Sequence, residues 1–123
     1  VIIHVNTSPQ FSWKVEYFKS ERGVSPPREF IDGLPANQRA KIAVHVKLLQ
    51  EFGPALRMPH AKQLSGHKPL WELRPMPVRL IYAPFKTQRY VILHAFLKKK
   101  NQTDIQDIKI AESRLRELLE REK

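Results

Sequence analysis

The side chains with the most chemical promise lie between Leu70 and Lys100. Three runs carry them: Leu70-Trp71-Glu72-Leu73-Arg74, Val78-Arg79-Leu80-Ile81-Tyr82 and Leu93-His94-Ala95-Phe96-Leu97-Lys98-Lys99. In an extended strand, successive side chains point to opposite faces. Alternation therefore predicts Trp71, Leu73, Leu80, Tyr82, Leu93 and Leu97 on a buried face. It predicts Glu72, Arg74, Arg79, His94, Phe96 and Lys98 on an open one. That open set holds cations, a carboxylate, an imidazole and an aromatic ring. RNA recognition uses such parts, with cations on phosphates and a ring beneath a base. The same parts suit RNA cleavage without a metal, in which a ribose 2′-OH attacks the adjacent phosphorus. One proton must leave, another must arrive, and charge growing on the phosphoryl oxygens must be stabilised. Arg74, Arg79 and Lys98 or Lys99 suit the last task, because fixed cations aimed at developing charge are a large catalytic contribution. A guanidinium stays charged and moves protons poorly. The base is then Glu72, His94 or a lysine whose pKa neighbouring cations depress, and the sequence leaves the three open. Plainer roles also exist: Glu72 as an ion-pair partner, His94 as a strand histidine, and Lys98-Lys99-Lys100 as a solvated strand end.

Charge distribution points the same way. The chain carries 22 Lys and Arg against 12 Asp and Glu, a net of +10. The excess is concentrated, since residues 58–100 hold nine basic side chains and one acidic, Glu72. A polyanion partner is the simplest reading of such a segment. Cysteine is absent from the sequence, which excludes a disulfide framework, a thiolate metal site and a thiol nucleophile. The histidines (His4, His45, His60, His67 and His94) show no ligand-pair spacing, so no metal and no cofactor are expected. No apolar run is long enough to span a bilayer. The first ten residues lack a basic stretch followed by an apolar one. The expected setting is therefore the cytoplasm, without a membrane partner.

The elements that must position these residues follow from periodicity. Residues 11–18 alternate, with Phe11, Trp13, Val15 and Tyr17 on one side, and predict a half-buried strand. Ser25-Pro26-Pro27 marks a loop, and a short helix is expected over Arg28–Gly33 with Phe30 and Ile31 inward. Leu34-Pro35 opens a longer helix with a stripe over Ala36, Ala40, Ala43, Val46, Leu49 and Phe52, which Gly53-Pro54 ends. Three strands are expected at 70–74, 78–85 and 90–97, with a short extension at 61–64. The short connections Pro75-Met76-Pro77 and Lys86-Thr87-Gln88 make the strands antiparallel neighbours. Thr103-Asp104-Ile105-Gln106 reads as a capping box, with Thr103 at the cap. Ile108, Ala111, Leu115 and Leu118 then form a helical stripe. The result is a single α+β domain over residues 1–123, with its core at about 11–120. Its order is β-α-α-β-β-β-α, with an antiparallel sheet and helices packed on one face.

The ordered set Lys62-Gln63-Leu64-Ser65-Gly66, Leu70–Arg74, Val78–Tyr82 and Leu93–Lys99 resembles the phage-derived HigB-like toxins of the RelE/ParE superfamily. Ala111 and Arg114 suit that family's closing helix. The resemblance covers roughly residues 11–120 and implies a RelE-like fold. It implies a type II toxin that inhibits translation by cutting mRNA on the ribosome. It also implies a cognate helix-turn-helix, HigA-like antitoxin, with operator DNA met only through the toxin–antitoxin complex. Carried over by position, Arg74, Arg79, Lys98 and Lys99 match the basic residues such toxins use on the RNA phosphate. Glu72 and His94 remain acid–base candidates beside them. Lys62, Phe96, Lys100 and Lys68 are further candidates for contact with RNA. The sequence departs from the pattern in placing Glu72 on a strand where further basic residues are usual. It also has no tyrosine after Tyr90. Two other readings stand beside this one: a ParE-like toxin that inhibits gyrase through protein contact, and a non-catalytic nucleic-acid-binding module. The first needs no phosphate-cradling face, and the second needs no neighbouring antitoxin gene.

Overall fold

The structure, a computed structural model, describes residues 12–122. Phe11 and His4 therefore lie outside the described residues, as do the first ten residues that bear on a leader segment. Strand β1 (Lys14–Tyr17) is followed by helices α1 (Pro26–Asp32) and α2 (Ala36–Phe52). A 3-10 turn at Gly53–Ala55 leads to strands β2 (Ala61–Gln63), β3 (Trp71–Leu73), β4 (Val78–Pro84) and β5 (Arg89–Leu97), and helix α3 (Ile105–Arg121) closes the chain. The expected α+β order holds, and the extension at 61–64 is a strand in its own right.

The sheet has five strands in the order β1-β5-β4-β3-β2. Strands β2 to β5 pair antiparallel, but β1 runs parallel to β5, with Lys14 beside Arg89 and Tyr17 beside Ile92. The expectation of a purely antiparallel sheet is corrected by this edge pairing. The expectation of helices on one face is corrected too. One core gathers Ile31 of α1 and Ile42 and Leu49 of α2 over Leu73, Val78, Leu80, Tyr82 and Ile92. A second gathers Ile108, Ala111, Leu115 and Leu118 of α3 over Ile81, Ala83, Val91 and Leu93, on the opposite face. The physical reason is apolarity on both sides of the central strands. Residues 78–83 of β4 and 90–93 of β5 are buried without interruption, and a strand apolar on both faces must be covered on both.

A bulge decides which face each β5 residue takes. Ile81 pairs with His94, but Tyr82 pairs with Ile92, so Leu93 is the extra residue. Two successive side chains, Leu93 and His94, thus share the α3 face, and the alternation reverses across them. The expected grouping of Leu93 with Leu80 and Tyr82 fails for this reason. Leu97, also expected to be buried, is 44% exposed at the strand end.

Helix α2 buries Ile42 and Leu49 rather than the alanine stripe; Ala36, Ala40 and Ala43 are exposed. A methyl group contributes too little area to set a helix's phase against an isoleucine. Gly53 ends α2 at a φ of +50°, and an added Cβ would overlap the Trp13 indole. Glycine is needed there both for the backbone and for the close approach.

Candidate active site

Helix α3 covers one end of its face of the sheet and leaves the other end to a cleft. The paired positions Glu72–Ile81–His94 and Arg79–Phe96 lie on this face, because residues in register across a ladder point the same way. The chain from Lys98 to Asp104 folds across them before entering α3. The cleft so formed has a volume of about 490 Å³, with Glu72, Arg79, His94, Phe96, Lys98, Lys99, Lys100, Thr103 and Asp107 in its lining. A second hollow of about 280 Å³ lies beside it, lined by Lys62, His67, Glu72, Arg74 and Thr103 among others. Glu72 and the 101–103 segment border both.

The expected open face is therefore not open. Glu72 is 4% exposed and Arg79 is 2% exposed, while Arg74, His94, Phe96 and Lys98 are half-buried. Burial of a charge is tolerated only with close partners. Glu72 Oε1 lies 3.6 Å from Arg74 Nε and 3.5 Å from Arg79 Nε. Its Oε2 accepts a hydrogen bond from the Thr103 hydroxyl. One carboxylate thus gathers two guanidinium groups. Burial and the neighbouring Arg74 push the Arg79 guanidinium below its ordinary pKa, with Glu72 opposing them. One terminal nitrogen of each meets sulfur: Arg74 Nη1 donates to Met58 Sδ at 3.1 Å, and Arg79 Nη1 to Met76 Sδ at 2.8 Å.

A second polar group occupies the facing wall. His94 Nε2 is 2.7 Å from Asp107 Oδ1. A carboxylate accepts, so the imidazole carries its proton on Nε2, and its lone pair is on Nδ1. Arg114 Nη1 stands 3.4 Å from that Nδ1 and donates to the Leu93 carbonyl at 2.8 Å. The Phe96 ring stacks beside the imidazole, with centroids 5.4 Å apart. Burial lowers the His94 pKa, and the bond and charge of Asp107 only partly oppose it. Burial likewise lowers that of His45.

These shifts fix a pH dependence. The folded protein prefers both histidines neutral, whereas the unfolded chain binds protons at about 6.5. The stabilising contribution is complete above about 6.5 and is lost as pH falls through the lowered folded values. Urea unfolding at pH 7.5 and pH 5.5 is expected to show a lower midpoint at the acid pH. The drop should be smaller in His94→Gln, where only His45 remains of the pair. An equal drop in that variant would exclude His94 as a source.

The structure brings together Glu72, Arg74, Arg79, His94, Phe96 and the Lys98–Lys100 run. Lys98 donates its backbone N–H to the Pro77 carbonyl at 2.9 Å, and Lys100 Nζ is 4.0 Å from Asp104 Oδ2. Lys62 faces the second hollow, in register with Glu72. Lys68 is exposed on the 64–70 loop and lines neither hollow. Sequence reasoning missed Thr103 and Asp107 and gave Arg114 no role in the site. Thr103 is not the cap. Asp104 is, accepting from Gln106 N at 2.8 Å, which leaves the Thr103 hydroxyl for Glu72. The signal was present, since Asp104 can cap as well as Thr103 and places Asp107 in the first turn.

Among the described residues, no group of three or more His, Asp or Glu is placed to hold a metal ion, and no helix is long and apolar enough to cross a membrane.

The family model for phage-derived protein Gp49-like (DUF891) matches residues 29–116, a span that contains all the cleft residues named above. Among solved structures the chain is similar to RelE in the archaeal RelE–RelB complex from Pyrococcus horikoshii OT3. That match has a TM-score of 0.56 and 18% identity, over 72% of this chain and 98% of that one. At that identity the likeness shows the fold, which is RelE-like. No curated protein matches the chain.

Proposed function

The chain belongs to the phage-derived Gp49-like family, a family of RelE/HigB-like toxins, and from that premise we propose that it is a ribosome-dependent mRNA endoribonuclease that inhibits translation. The observation that carries this reading is the convergence of Arg74 and Arg79 on one buried carboxylate at the floor of a cleft whose lip is Lys98-Lys99-Lys100.

In the proposed reaction the ribose 2′-oxygen attacks the adjacent phosphorus and the bond to the 5′-oxygen breaks. The products are a 2′,3′-cyclic phosphate and, once the departing oxygen has taken a proton from water, a 5′-hydroxyl. Arg79 and Arg74 stabilise the charge that builds on the phosphoryl oxygens, since a guanidinium presents paired donors to phosphate. Lys98, Lys99 and Lys100 hold the flanking backbone, and Phe96 offers a ring to a base. The proton of the 2′-OH passes to the His94–Asp107 pair, because burial keeps His94 neutral and so competent as a base. Glu72 is the counter-ion that positions the arginines, as its single buried charge is shared by two guanidinium groups. No metal or cofactor takes part. The proposed setting is the cytoplasm, with a helix-turn-helix antitoxin of the HigA kind as partner.

Expressing the chain without a partner is expected to stop growth and protein synthesis while chromosomal DNA stays intact. DNA breaks trapped with gyrase, alongside intact transcripts, would replace this reading with the ParE-like one.

A further inference from the structure

The two site arginines share an arrangement that nucleic-acid binding does not explain. In each, Nε faces Glu72 and Nη1 faces a methionine sulfur: Arg74 against Met58 and Arg79 against Met76. These are the two methionines of the sequence, and there is no cysteine. Both are large apolar side chains left in solvent, Met58 at 58% and Met76 at 54% exposure. Exposed thioethers are readily oxidised, and here both lie within hydrogen-bond reach of the groups that would hold phosphate.

We propose that Met58 and Met76 are oxidation sites through which peroxide lowers the hold of Arg74 and Arg79 on RNA. In the step, a sulfur lone pair attacks one oxygen of hydrogen peroxide and the O–O bond breaks. Sulfur gains one oxygen and is oxidised by two electrons, and the other oxygen leaves as water. The N–H···S contact engages one lone pair of the sulfur and leaves the second for this attack. The product converts a weak acceptor into a strong one on a polar, chiral group. A sulfoxide oxygen beside Nη1 then competes with phosphate for the same donor. The change is reversible by thiol-dependent sulfoxide reductases, so the pair would act as a redox-responsive brake.

This inference rests on the assignment of Arg74 and Arg79 to RNA phosphate, and its test separates the two. The full chain is treated with hydrogen peroxide and peptide masses locate the added oxygens. Side-chain N–H resonances of Arg74 and Arg79 report the guanidinium surroundings, and polarisation of a labelled single-stranded RNA oligonucleotide reports affinity. Sulfoxide at both positions, shifted arginine resonances and RNA binding weakened about five-fold are expected, with recovery after reductase treatment. The Met58→Leu/Met76→Leu protein, compared with itself before and after peroxide, should show no change. Unoxidised sulfurs, RNA binding unchanged with both oxidised, or equal sensitivity in the leucine variant would each overturn the proposal. If the untreated protein binds no RNA, either free or on a programmed ribosome, the function reading fails. The oxidation site is then judged on the arginine resonances alone: a shift keeps it and constancy removes it.

Discussion

Arg79→Ala is expected to reduce RNA cleavage by a factor of roughly 100 or more, the scale seen when one preorganised charge-stabilising donor is removed. It is also expected to destabilise the fold. Arg79 is 2% exposed and is one of two cations on a carboxylate that is itself buried. Breaking a buried pair by removing one partner costs about 3–5 kcal/mol. Arg74 and Thr103 remain on Glu72, so the lower end, about 3 kcal/mol, is expected. Chemical denaturation measures the second effect and single-turnover cleavage at a temperature where the variant is folded measures the first. Arg74→Ala separates them, because the Arg74 side chain is 18% exposed and its loss leaves Arg79 on Glu72. Undiminished cleavage in both variants would remove the arginines from the mechanism.

Glu72→Gln distinguishes a counter-ion from a base. The change keeps the shape of the side chain and removes the charge that Arg74 and Arg79 share. The folded state is expected to lose about 3 kcal/mol, because two guanidinium groups are left without their carboxylate in a poorly solvated place. RNA binding is expected to tighten by about ten-fold, because the phosphate no longer competes with an internal anion. Cleavage of bound RNA should stay within about ten-fold of the native rate, whereas loss of a proton-transfer group typically costs 10²–10⁴-fold. Binding to programmed ribosomes and single-turnover cleavage on them, from the same preparations, give both numbers. Unchanged affinity with cleavage reduced by a hundred-fold or more would make Glu72 the base and leave His94 a positioning role.

The sequence made the order of elements legible because its signals are local. Pro35 and Gly53 bound α2, and Ile108, Ala111, Leu115 and Leu118 form the stripe that α3 buries. Arg74, Arg79 and the Lys98–Lys100 run were legible as one cluster for the same reason, as strand neighbours with a shared sense of charge. What alternation could not supply was the second covered face. Alternation puts Leu80 and Tyr82 on a buried face and Arg79 on an open one, although the continuous apolarity of Leu80-Ile81-Tyr82-Ala83 signals burial on both. The bulge at Leu93 was equally hidden, since one unpaired residue leaves no mark in composition yet reverses every side chain beyond it. That reversal places His94 beside Leu93 and within reach of Asp107 and Arg114 on α3. Thr103 escaped notice because a capping signature accounted for it, and only the fold shows its hydroxyl on Glu72.

Mapping the 5′ ends of a transcript in a purified translation system, with and without ribosomes, bears on the whole reading at once. The native chain should yield ends at fixed positions within codons when ribosomes are present and none when they are absent, and Arg74→Ala should yield few or none. Full-length transcript in every lane, from a chain that still arrests growth, would contradict a ribosome-dependent nuclease.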